Sequence, residues 1–332
     1  MIKYLVAFFA SFFVSLALMP IILAYFKKKK MAQTILGYVE NHKNKNGTLT
    51  MGGVVFIISS LILVFVFLKF DIVWFFAFLT SLFFGVLGFM DDHIKIKYNQ
   101  NLGLRPYQKI IGQVGISLIF ALFVYYFSNV GSKMFIPFSL NSFDARFFVV
   151  PVIILVLLAT TNSVNLTDGL DGLAGNVSLF YFIFYVIIIN IVAVKMYNLG
   201  VTGPFFQDVQ SISIVCLIFC GAIMGFLLFN TNKACIFMGD VGSLCLGGLV
   251  GTSACVLGFE LIIPILGFCF VLSAVSVILQ VGMFKWKRKR IFKMAPFHHH
   301  LQMSGLTEPK IVQIYSTVTI LLGVVCIIFY LA

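Results

Sequence analysis

Apolar residues fill this chain in long blocks separated by short polar stretches, and the blocks recur from Tyr4 to Leu331. A helix needs roughly 20 such residues to cross a bilayer, fewer if it is short or partly re-entrant. Ten segments qualify: Tyr4–Phe26, Met51–Leu68, Ile72–Met90, Ile110–Phe127, Phe147–Thr161, Val177–Val194, Ile212–Phe229, Val241–Leu257, Leu261–Phe284 and Ile311–Leu331. The fifth and eighth are short, and Pro264 with Gly267 predicts a break in the ninth. The pattern therefore predicts an all-α polytopic membrane protein of about ten transmembrane helices, folded as one domain over residues 1–332.

Composition supports that reading. Of the 332 residues 61% are hydrophobic and 10% charged, more apolar surface than a water-soluble domain of this length can hide. The opening apolar run is too long for a signal-peptide core, and no A-x-A site precedes Lys27, so it reads as the first span. A net charge of +12 would suggest nucleic acid in a soluble protein. Here the basic residues lie between apolar spans, which points to topology and to no nucleic-acid partner.

With ten spans the loops alternate between two faces. Eighteen of the 23 Lys and Arg residues fall in loops 27–50, 91–109, 162–176, 230–240 and 285–310. The other face carries Lys3, Lys69, Lys133, Arg146 and Lys195. By the positive-inside rule the first set is cytoplasmic and both termini lie outside. The seven cysteines sit mostly in apolar runs and show no paired C-x-x-C spacing, which argues against zinc or a disulfide framework.

The residues suited to chemistry cluster on the basic face. The third span ends in Asp91-Asp92, followed by Lys95 and Lys97. Carboxylates oppose the dipole at a helix C-terminus, so a cation, either these lysines or a metal ion, is expected beside them. The fifth span runs into Asn162-Ser163-Val164-Asn165-Leu166-Thr167-Asp168-Gly169-Leu170-Asp171-Gly172. An Asx-rich turn explains part of this stretch, but not so many acceptors without a countercharge. If helical, Asp168 and Asp171 would share a face. The seventh span exits through Asn230 and Phe237 to Asp240, a natural helix N-cap position. Three acidic clusters on one face, with lysines nearby, suit a hard cation such as magnesium and metal-assisted phosphoryl transfer.

Other features are weaker singly. Lys285-Trp286-Lys287-Arg288-Lys289-Arg290 reads best as a topogenic anchor. The internal His298-His299-His300 run suits hydrogen bonding to a phosphate better than metal binding, because consecutive side chains diverge. Lys43, Lys45, Gly47, Thr48 and Thr50 before Gly52-Gly53 could hold an anion at a helix start.

Taken together, Thr50-Met51-Gly52-Gly53, Asp91-Asp92, Asn162 to Gly172, Asn230 to Asp240 and Pro296 to His300 resemble the polyprenyl-phosphate N-acetylhexosamine-1-phosphate transferases, in one order along nearly the whole chain. The Pro296-Phe297-His298-His299-His300 stretch is similar to the branch that transfers phospho-N-acetylmuramoyl-pentapeptide, rather than the N-acetylglucosamine-1-phosphate branch. Leu49 departs from the proline common in the family.

The resemblance implies that UDP-N-acetylmuramoyl-pentapeptide and undecaprenyl phosphate give lipid I and UMP, with Mg2+, on the cytoplasmic side of a bacterial cytoplasmic membrane. This is the first membrane step of peptidoglycan synthesis. It implies Asp240 as magnesium ligand and Asp91, supported by Asp92, as the group that orients or deprotonates the lipid phosphate. His299, placed in the catalytic set, and His300 would contact the pyrophosphate. Asn162, Asp168, Gly169, Asp171, Asn230 and Phe237 would form the nucleotide and sugar pocket, and Lys45, Thr50, Lys95 and Lys109 would contact phosphate. Besides substrates and bilayer, a second copy of the chain is a candidate partner, as a homodimer. Two rivals stand beside this reading: a sibling transferase using UDP-N-acetylglucosamine, and a transporter, which would place acids near helix midplanes and show related halves.

Overall fold

The computed structural model describes residues 2–29, 31, 48–98, 100 and 102–332. Every apolar segment expected from the sequence forms a helix: α1 (Ile2–Lys28), α2 (Gly53–Phe67), α3 (Ile72–Lys97), α4 (Pro106–Phe127), α5 (Val149–Thr167), α6 (Leu173–Asn198), α7 (Phe205–Asn230) and α8 (Gly239–Cys255). Beyond α8 the ninth segment breaks as predicted, into α9 (Ile263–Leu266) and α10 (Phe268–Lys287). A short α11 (Phe297–Met303) and then α12 (Glu308–Leu331) complete the chain. Eight helices are long and apolar enough to cross a membrane, while α2 and α8 fall short of that length. Their outward faces carry bare apolar side chains such as Phe9, Phe65, Ile119, Leu155 and Ile278, which only lipid would leave stable.

The all-α expectation needs one correction. In the loop after α4, strands β1 (Lys133–Phe135) and β2 (Ser142–Asp144) form an antiparallel hairpin, Lys133 opposite Asp144 and Phe135 opposite Ser142. Its apolar face packs inward, with Phe135 stacked on Phe259 at 5.0 Å. Strands this short carry too little alternation to be read from sequence.

At the centre stands α8, buried at every residue from Val241 to Cys255. Its sequence reads as an apolar span, yet it meets neighbouring helices rather than lipid. The cause is its small residues, which let backbones approach. A Cβ on Gly53 of α2 would strike Gly242, and one on Gly247 would meet the Thr161 backbone of α5 at 2.6 Å. On α3, a Cβ at Gly88 would run into the Asp240 carbonyl. These contacts fix the start of α8 against α2 and α3. At the opposite end of the bundle, Tyr4 of α1, Lys195 of α6 and Leu331 of α12 line one apolar groove, so both chain ends lie away from Asp240.

Gly88→Ala should therefore destabilise the protein by about 1–3 kcal/mol, as overpacking against backbone does, read as a lower thermal midpoint in detergent. A wild-type midpoint would mean that α3 and α8 separate freely.

Candidate active site

The site begins where α3 runs out of apolar residues. Asp91 and Asp92 occupy its last turns and are both 4% exposed. Two buried carboxylates at a helix C-terminus need compensation, and it comes from three directions. The Lys95 ammonium, one turn further on, pairs with Asp91 and approaches Asp92 at 3.8 Å. The loop into α4 folds over Asp91, so that Leu104 donates its backbone N–H to Asp91 at 2.8 Å. Gly103 permits this wrapping, since a Cβ there would overlap the Asp91 carboxylate.

Asp92 faces the other way. Its Oδ2 accepts the backbone N–H of Val241 at 3.1 Å, capping the start of α8 from another helix. The N-cap role expected for Asp240 is thus filled by Asp92. Asp240 is left free in the first turn of α8 to turn toward α4 and α5. It accepts from Lys109 Nζ at 2.9 Å and from Asn165 Nδ2 at 2.9 Å, and meets Lys95 at 3.2 Å. Burial would raise the Asp240 carboxyl, but Lys109 and Lys95 outweigh it and hold the group well below the usual carboxylate range.

One ligand atom from each of Asp91, Asp92 and Asp240 lies within 4.8 Å of the others, an acidic group able to hold a metal ion. Unit charges about 4 Å apart interact by roughly 4 kcal/mol at an effective dielectric near 20, so three carboxylates this close require cations. Among the described residues Lys95 and Lys109 supply two positive charges to the three carboxylates, while burial and Asp240 push the Asp91 and Asp92 carboxyls up. When all three are ionised, the residual negative charge would repel an arriving phosphate unless a further cation joined it. All the donors are hard oxygens, which fit magnesium.

Around this centre the remaining candidates fall into groups. Asp168 ends α5, half-buried, and burial together with Asp240, Asp92 and Asp171 pushes its carboxyl well up. Asp171 does not share a helical face with it. The chain leaves the helix at Asp168, and Asp171 reaches the Ala234 N–H at 3.2 Å. Asn230, 3% exposed, is the strut between these two loops: its Oδ1 accepts from Gly172 N–H and its Nδ2 donates to the Ile236 carbonyl at 2.8 Å. Phe237 is half-buried on a stretch zipped to the entry of α2, with Phe237 N–H to Leu49 O at 2.8 Å and Gly52 N–H to Phe237 O at 2.8 Å. This pairing holds the buried Thr50 in place, and Leu49, despite departing from proline, forms a parallel bridge to Ile236.

Not every expected residue converges on the carboxylates. Asn162 sits one helical turn away and is knitted to Gln113 Oε1 at 2.9 Å and the Leu158 carbonyl at 2.8 Å. The three histidines diverge as their adjacency demands. His299 meets Gln302 at 3.1 Å, whereas His300 accepts the Lys293 N–H and packs against Phe292 and Phe297, turned toward the basic loop. Gly169 lies directly on His298, where a Cβ would clash with that ring. Lys97 turns outward over Tyr98, leaving Lys95 as the cation expected beside the α3 carboxylates. Lys45, with Lys43 and Gly47, lies outside the described residues.

Sequence reasoning missed Asn165 and Ser243. Asn165 bridges Asp240 and Ser243 with one amide group while its oxygen accepts from Lys109 at 3.4 Å. Its signal was present, one turn before Asp168 and amid other Asx residues, but an amide gives no hint of its partner.

A carboxylate and lysine centre of this kind suits phosphoryl transfer, and residues 74–258 match the model of glycosyl transferase family 4. The chain is 43% identical over 97% of its length to a phospho-N-acetylmuramoyl-pentapeptide-transferase of Clostridium novyi, 94% of which is covered. It is 39% identical to that of Clostridium kluyveri over the whole of both chains. Against that of Campylobacter jejuni it is 41% identical over 92% of this chain and 88% of the relative. The chain belongs to the phospho-N-acetylmuramoyl-pentapeptide-transferase family.

His298 gives a pH test. It is fully buried, neither ring nitrogen has a hydrogen-bond partner, and burial with His299 lowers its imidazole from 6.5 to about 3. The folded state thus favours the neutral ring, and stability is lost as pH falls below 6.5. Between pH 6.5 and 5 wild type should lose about 2 kcal/mol that His298→Phe does not, measured as thermal midpoints. Equal losses would assign the acid sensitivity to other groups.

Proposed function

We propose that this chain transfers phospho-N-acetylmuramoyl-pentapeptide from its UDP carrier to undecaprenyl phosphate, yielding lipid I and UMP. The observation that carries the reading is the meeting of Asp91, Asp92 and Asp240 with Lys95 and Lys109 at one end of the helix bundle, in a chain whose relatives bear that activity in their names. In the transfer an oxygen of the lipid phosphate forms a bond to the phosphorus next to the sugar, and the diphosphate bond to UMP breaks. Little covalent work is asked of the protein, so positioning and charge stabilisation dominate.

The residues divide that work. Asp91 orients the lipid phosphate and takes its proton where one is present. Asp92, committed to the Val241 N–H, keeps α3 and α8 in register and is a positioning residue. Lys95 and Lys109 hold phosphate oxygens. Asp240, kept ionised by both lysines, would hold Mg2+ together with Asp91 and Asp92. When bound, the ion offsets charge on the diphosphate and on the leaving UMP.

Asp168, Gly169, Asp171, Asn230 and Phe237 shape the nucleotide and sugar pocket, with Phe237 available to stack on uracil. Asn230 acts through the loops it braces. Thr50 and Lys45 lie on the loop into α2 as further phosphate contacts, and His299 reaches the pyrophosphate. His300 and Asn162 support this pocket from the histidine helix and from the α4–α5 seam.

Residues 1–332 form one transferase domain with the site on the cytoplasmic face and both termini outside. The basic bias of the loops supports that orientation, and α2 and α8 complete ten passes. The location is the bacterial cytoplasmic membrane. A polar track through the helices, as a transporter would need, is not among the groups around the carboxylates, which cluster at helix ends.

Asp240→Ala should abolish UMP release, a loss of at least about 10³-fold on the scale of a removed charge-stabilising group, while the purified protein keeps its gel-filtration profile. Near-normal turnover would overturn the assignment of Asp240. Chelation of divalent ions should stop wild-type turnover and added Mg2+ restore it. With undecaprenyl phosphate as acceptor, UDP-N-acetylmuramoyl-pentapeptide should support UMP release and UDP-N-acetylglucosamine should not; the opposite preference would select the sibling reaction.

A further inference from the structure

The far end of α8 holds a second acidic feature unconnected with the chemistry. Glu260 lies in a 3-10 turn, Glu260–Ile262, between α8 and α9, and is 2% exposed. Neither carboxyl oxygen has a hydrogen-bond partner on any other residue, its own backbone N–H being the one donor near it. The position is far from the active centre, because α8 separates it from Asp240 by 17 residues of helix, about 25 Å at 1.5 Å per residue.

What surrounds Glu260 is polar but uncharged. Tyr185 of α6 and Cys255 of α8 lie close enough to feel its charge, and Tyr181 stacks on Tyr185 at 5.9 Å. Tyr185 spends its hydroxyl proton on the Ser253 carbonyl at 2.8 Å, whereas the hydroxyls of Tyr181 and Thr252 are buried without partners. From the hairpin, Lys133 brings its carbonyl against Gly258, but its side chain is exposed. The residues of α9, Ile-Pro-Ile-Leu, carry no titratable group. No ammonium or guanidinium group among the described residues forms a salt bridge with Glu260.

An ionised carboxylate in such surroundings would cost several kcal/mol with nothing to offset it, whereas a neutral carboxyl costs far less. The turn that carries it is also the closure of this end of the bundle. Gly258 adopts φ +73° and accepts the Phe135 N–H at 2.7 Å, and Phe259 stacks on Phe135. Opening that closure would let water reach Glu260.

We propose that Glu260 is a carboxylic acid kept neutral by its uncharged nest, and that it latches the far end of α8 shut until rising pH on that face ionises it and releases the turn. Burial raises this carboxyl from an ordinary 4.5 to about 8, in keeping with the geometry. The sign follows from linkage: below pH 4.5 the acid is neutral whether the turn is open or closed. Between 4.5 and 8 the open form ionises first, so its share rises by up to tenfold per pH unit, and above 8 the gain levels off. The Asp91, Asp92 and Asp240 centre takes no part in this equilibrium.

The test uses the full chain in lipid nanodiscs, comparing wild type with Glu260→Gln, which keeps shape and removes the titration. The latch predicts that the thermal midpoint of the variant rises relative to wild type from pH 5 to pH 8 and then runs parallel. It also predicts that a protonated-carboxyl infrared band, present in wild type at pH 7 and titrating away near pH 8, is missing from the variant. UMP release at pH 7 should stay within twofold. Midpoints that track each other at every pH, or infrared spectra that match, would overturn the latch. If Glu260→Gln does not accumulate, Glu260→Met tests the same infrared difference with the same two outcomes.

Discussion

Charge balance at the start of α8 governs most of what this fold does. Three carboxylates come within reach of one cation, and among the described residues two ammonium groups stand beside them. Each lysine is delivered by a different helix, Lys95 by α3 and Lys109 by α4. The arrangement therefore exists only while α3, α4, α5 and α8 stay packed. Were one of these helices to withdraw, an unpaired buried charge would remain, and such a loss costs about 3–5 kcal/mol. Catalytic geometry and helix packing are in this sense the same constraint.

That constraint explains the division between the two neighbouring aspartates of α3. Asp91 looks toward the α4 loop and the lysine, and Asp92 toward the backbone of α8. Adjacent side chains on a helix point about 100° apart, so a pair of carboxylates can serve two helices at once. One holds the frame and the other remains beside Lys95 and Asp240.

The helices were legible because a bilayer demands long apolar segments, and each of the ten segments became helical. The break near Gly267 was legible from Pro264 and Gly267 together. What escaped was anything decided by partners distant in sequence. Asp240 looked like a helix cap, but the cap came from Asp92, 148 residues earlier. The pairing of Asp168 with Asp171 assumed a helix that ends at Asp168. Asn230 looked like a ligand contact, whereas both ends of its amide hold backbone. A residue's chemistry can be read from its type, but its orientation is settled by packing. For the same reason the neighbours of α8 were not legible: its glycines signal close packing, and hydropathy does not distinguish a protein neighbour from lipid.

The stitching of Leu49–Gly53 to Ile236–Met238 runs through main-chain atoms. Side-chain drift over evolutionary time leaves such a seam intact, so the two approach loops are bound to travel together. Any shift of the Phe237 segment would carry the entry of α2 with it.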